Sequence, residues 1–102
     1  MSFMGIINVG SQVVITLKAN KSNEGNAVLL AGLGVDPANG QHKVIEPDLT
    51  DSITLNTTRR SVLEIQTHFG ANDGGELSDT VDGVPRDSAA AEDETTWIYS
   101  VQ

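Results

Sequence analysis

The residues best suited to chemistry are carboxylates, and they crowd one stretch of the chain. Positions 70 to 94 hold 8 of the 14 acids, Asp73, Glu76, Asp79, Asp82, Asp87, Glu92, Asp93 and Glu94, against Arg86 alone. Hard cations such as Ca²⁺ take six to eight oxygen ligands from carboxylates, amides and backbone carbonyls held on glycine-containing loops. Asn72, Asp73, Glu76, Asp79 and Asp82, interleaved with Gly74, Gly75 and Gly83, offer such atoms and form the candidate calcium set. Their spacing is not that of an EF-hand loop. Strand alternation would also put Glu76 and Asp82 on one face and Asp79 on the other. The competing expectation is an acidic loop whose charges face water.

Other catalytic constellations are poorly represented. Carboxylate pairs can serve as acid and base in glycoside hydrolysis, but they need a cleft that a short chain with four aromatic residues is ill equipped to build. His42 and His68 fall on predicted strands with no second ligand at a metal-site spacing, and read as structural. No Gly-x-Ser-x-Gly elbow occurs, and Gly32-Leu33-Gly34 lacks the further glycine and helix of a dinucleotide loop. There is no cysteine, which excludes disulfides and thiolate chemistry. The expectation is a non-enzyme without a cofactor, calcium being the one candidate ion.

Trp97 and Tyr99 could form a sugar-binding platform. They alternate with Ile98 and share a face with Val101, so they are expected instead to be the largest pieces of an aliphatic core. The sequons Asn20-Lys21-Ser22 and Asn56-Thr57-Thr58 read as polar loops, and Arg59-Arg60 as a solvated pair or a grip on an acidic partner or neighbouring subunit.

Positioning these residues falls to strands, because the dominant hydrophobic period is two. Val13, Ile15 and Leu17 share a face, as do Ile53 and Leu55; Leu63, Ile65, Thr67 and Phe69; and Trp97, Tyr99 and Val101. Further strands are predicted over Phe3 to Val9, Ala27 to Leu33 and His42 to Glu46, with an eighth, weaker one over Glu76 to Asp82. Turn chemistry marks the breaks at Asn20 to Gly25, Asp36 to Gly40 and Asn56 to Arg59. Asp87 to Glu92 could make one capped helical turn, since Asp87 can accept from the following amides and alanine favours helix.

This rhythm predicts an all-β chain over residues 1 to 102: one antiparallel β-sandwich of seven or eight strands, jelly-roll-like or immunoglobulin-like, with a long acidic loop-rich segment at 70–94. A net charge of −8 argues against nucleic acid and membrane surfaces as partners. No signal peptide or spanning segment is visible, so a soluble, cytoplasmic product is expected, with particle assembly or a non-classical release route left open. Strands with apolar residues on both faces, and terminal strands expected at sheet edges, point to a homo-oligomeric structural or assembly module such as a particle, fibre or appendage subunit. The alternative is a calcium-dependent, lectin-like module that binds a protein or glycan through the acidic segment.

Overall fold

A computed structural model describes residues 1–34 and 40–102. The turn expected at Asp36 to Gly40 lies mostly outside the described residues. Nine strands form two packed sheets: β1 (Ser2–Ile7), β2 (Gln12–Ala19), β3 (Ala27–Leu33), β4 (Gln41–Ile45), β5 (Thr50–Asn56), β6 (Ser61–His68), β7 (Gly75–Val81), β8 (Val84–Ala91) and β9 (Thr95–Val101). The five-stranded sheet has the order β1-β9-β6-β3-β4, and the four-stranded sheet β5-β2-β7-β8. Among the described residues there is no helix, hence none long and apolar enough to cross a membrane.

Period-two patterning explains the core. The inward residues Val13, Ile15 and Leu17 of β2 meet Leu29, Leu63, Ile65, Tyr99 and Val101 of the opposite sheet in one buried cluster. Trp97 is 4% exposed and Tyr99 fully buried, so both rings belong to the core and neither forms a platform.

Three expectations need correction. There are nine strands, because Val84 to Ala91 is strand rather than the helical turn foreseen at Asp87 to Glu92. Helix propensity is a weak prior that tertiary pairing overrides, and β8 is a sheet edge, where Pro85 is tolerated. The segment 70–94 is therefore a β-hairpin with short loops on either side. Its turn, Asp82-Gly83, joins the paired Val81 and Val84 with φ of 51° and 80°. Two positive φ values define the type I′ geometry that Asp-Gly prefers, a hairpin signal present in the sequence but easily read as ligand chemistry.

The five-stranded sheet is also mixed, not purely antiparallel: β1 runs parallel to β9, with Phe3 opposite Ile98 and Ile7 opposite Val101. Alternation fixes which side chains point inward but not strand direction. The Asn8–Ser11 connection then hands the chain to β2 in the other sheet. Finally, β9 is not an edge, since β1 and β6 flank it; the edges are β1, β4, β5 and β8.

Thr57 ties two loops together at one end of the sandwich. Its buried hydroxyl accepts from the Ser11 amide at 2.8 Å and donates to the Asn8 carbonyl at 2.8 Å.

Leu17 is fully buried between the sheets. Leu17→Ala is expected to lower stability by about 2–5 kcal/mol. Urea unfolding should show this as a reduced midpoint with an unchanged slope.

Candidate functional site

A polar cluster inside the sandwich is built by β7, β8 and β9. Asp79 faces inward beside Ile15 and opposite Asp87, while Tyr99 faces inward from the other sheet. A register shift between Asp79 and Thr80 pairs Asp79 with Asp87 but Thr80 with Pro85, leaving Arg86 as the extra residue of a β-bulge. Bulges re-aim side chains. Arg86 accordingly reaches across the open side of the sandwich, donating from Nη1 to the Ile6 carbonyl of β1 at 2.9 Å. Its guanidinium carbon lies 5.2 Å from the Tyr99 ring centroid, a cation–π contact, and its Nε is 3.9 Å from Asp87 Oδ2.

Tyr99 Oη is hydrogen-bonded to Asp79 Oδ2 and lies 2.6 Å from Asp87 Oδ2. A phenol carries one hydrogen, so it can donate to only one carboxyl at a time. The arrangement is complete when the other carboxyl brings its own proton and donates to the phenol oxygen. Asp79, 3% exposed, is suited to that role. Burial raises its pKa above the ordinary aspartate range, against the lowering effects of its bonds from Tyr99 and from the Asp87 amide at 2.9 Å. The Tyr99 hydroxyl is also pushed up, first by burial and then by the two carboxyls, and stays protonated.

Ser78, Thr80, Pro85 and Ser88, which take outward positions on the hairpin, line a cleft of ≈ 330 Å³ together with Asp79, Arg86 and Asp87. Both Asp79 oxygens are already engaged inside the fold. The cluster's chemistry is therefore proton sharing that clamps the hairpin to the opposite sheet.

The calcium candidates are dispersed. Asp73 receives the Glu24 amide at 3.0 Å and the Gly25 amide at 3.1 Å, fastening the β6–β7 loop to the β2–β3 loop. Asp82 receives the Gln12 amide at 2.9 Å at the other end of the hairpin. Asp79 is inside, whereas Glu76 is exposed and accepts from the Ser88 hydroxyl at 3.1 Å. Asn72 is an exposed turn residue with φ of 67°. Among the described residues, no three of His, Asp and Glu are grouped so that they could hold a metal ion. His68 instead faces Asp93 at 3.5 Å and Glu94 at 3.6 Å, and His42 is exposed on edge strand β4.

Sequence reasoning named Asp79 as a ligand and Tyr99 as core but did not join them. The signal that could have done so is the Asp82-Gly83 turn, whose hairpin sets Asp79 beside Asp87. No protein-family model, curated protein or solved structure matches this chain.

Two outcomes follow from the cluster. Tyr99→Phe leaves two carboxyls without their shared hydroxyl and is expected to cost about 1–3 kcal/mol in denaturant unfolding. Asp79 holds its proton more tightly folded than unfolded, so its contribution to stability is fully present below the unfolded pKa of about 3.9. That contribution is lost as pH rises from there through the raised folded pKa. Asp79→Asn should remove this decline, and unfolding free energies compared between acidic and neutral pH would show a wild-type slope missing from the variant.

Proposed function

We propose that this chain is a non-catalytic assembly module whose copies associate through the outer face of the five-stranded sheet. The observation that carries this reading is the contrast between the two outer faces. On the five-stranded sheet, Phe3, Ile6, Val28, Leu30, Val44, Val62 and Ile98 take outward register positions among the polar His42, Glu64, Gln66, His68, Thr96 and Ser100, with Phe3 68% and Ile6 52% exposed on edge strand β1 and Val44 59% exposed on edge strand β4. On the four-stranded sheet, the outward rows include Ser52-Thr16-Ser78-Ser88, Thr54-Val14-Thr80-Pro85 and Thr50-Lys18-Glu76-Ala90, rich in hydroxyls and carrying a Lys–Glu neighbour pair. Exposed apolar surface gathered on one face marks an interaction site, and a hydroxyl-rich face suits water.

Charge favours a second copy as the occupant. Among the described strand residues, Glu64 is the only acid in an outward position of the five-stranded sheet. Two molecules of net charge −8 keep most of their acids apart when they meet there. Face-to-face pairing is also favoured over edge addition at β1, because Arg86 already engages the Ile6 carbonyl on that edge.

Sedimentation or light scattering at high micromolar concentration tests the reading. Wild type should exceed monomer mass, and Phe3→Glu combined with Ile6→Glu should raise the dissociation constant by roughly tenfold or more. A strictly monomeric wild type would overturn it.

A further inference from the structure

A second surface is built from the two ends of the molecule. Where the chain crosses from β4 to β5, Val44, Ile45 and Leu49 with Glu46, Thr50 and Asp51 line a cleft of ≈ 270 Å³. Val44 and Leu49 are 59% and 53% exposed, and Glu46 and Asp51 are exposed beside them. A cleft that joins apolar side chains to carboxylates suits a methylene stem ending in a cation, as in arginine or lysine. Its surroundings strengthen that preference. Asp48 lies in the same crossing, and the neighbouring loops at this end carry Glu24, Asp73 and the Glu92-Asp93-Glu94 turn.

The opposite end of the sandwich carries the adjacent cations Arg59 and Arg60, both exposed in the β5–β6 connection. They cannot fill the cleft of their own molecule. Strand β5 runs from the cleft residue Thr50 to Asn56, just before the arginines, and six strand steps span about 20 Å. A second copy has no such constraint.

We infer that the Arg59–Arg60 turn of one copy seats in the Val44–Leu49 cleft of the next, joining copies end to end. This contact rests on the self-association reading above and adds a second surface that shares only Val44 with the sheet face. The sheet-face contact is isologous and closes on itself. The end contact is heterologous and propagates into a ring or an open chain. Together they would build an extended assembly from one small chain. The contact is electrostatic at its rim, so salt weakens it, whereas the apolar face contact is not weakened in this way.

The test is a charge swap made in the Phe3→Glu, Ile6→Glu background, where the face contact is removed. In that background, sedimentation velocity should still show species larger than monomer at about 0.05 M salt, dissociating toward monomer at about 0.5 M. Adding Arg59→Glu and Arg60→Glu should reduce the protein to monomer at low salt. Arg59→Gln with Arg60→Gln should do the same without adding acids. Glu46→Arg with Asp51→Arg should likewise give monomer alone, and mixing it with the Arg59→Glu, Arg60→Glu protein should restore species of equal stoichiometry. Unchanged mass on arginine substitution, or a mixture that stays monomeric, would overturn the end-to-end contact. Failure of the face reading would register separately, as Phe3→Glu, Ile6→Glu leaving the mass of the otherwise wild-type chain unaltered at high salt. Melting temperatures near that of wild type check that these exposed substitutions leave the fold intact.

Discussion

A single phenol hydroxyl governs how this sandwich is put together. Tyr99 is the largest fully buried side chain in a core filled mainly by aliphatic residues. Burying its ring contributes apolar contact that such a core needs, but its hydroxyl cannot be left without a partner. The four-stranded sheet supplies Asp79 and Asp87, and two carboxyls facing one phenol call for a retained proton. Burial supplies that too, by raising the Asp79 pKa. The β-bulge that aligns Asp79 with Asp87 also frees Arg86 to cover the ring and hold the β1 edge. The hairpin, the mixed sheet and the closed side of the sandwich thus meet at one group of side chains.

The acids outside this cluster are distributed by a different rule. Asp73 and Asp82 receive backbone amides that loop geometry would otherwise leave exposed to water. Glu24, Glu46, Asp48 and the Glu92–Glu94 turn gather at one end, and Arg59 and Arg60 lie at the other. The sandwich therefore has an apolar face, a hydroxyl face and two electrically unlike ends. In the proposed assembly, a surface divided in this way would orient neighbouring copies, since like-charged ends repel and unlike ends attract.

Much of the strand layout was legible because period-two alternation is a local property. Leu63, Ile65 and Thr67 point inward whatever β6 pairs with, and all eight expected strand positions are occupied by strands. β8 was illegible for a physical reason. Its Ser88-Ala89-Ala90-Ala91 run has no alternation and favours helix, and it is extended only because β7 offers an edge to pair with. The acidic cluster misled in a related way. Asp73, Asp79 and Asp82 are close in sequence, yet the extended β7 separates them: Asp73 lies in the loop before it, Asp79 faces inward along it and Asp82 lies in the turn after it.

From residue types and spacing alone came an all-β chain, an aliphatic core holding Trp97 and Tyr99, and the concentration of acids before the last strand. These depend on composition and on a period that each strand carries by itself. Tertiary structure decided the rest: the parallel pairing of β1 with β9, the partnership of Tyr99 with Asp79 and Asp87, and the separation of the cleft at Val44 and Leu49 from Arg59 and Arg60. Each depends on which strands lie side by side and in which direction they run. Those are properties of the assembled sheets that no local pattern encodes.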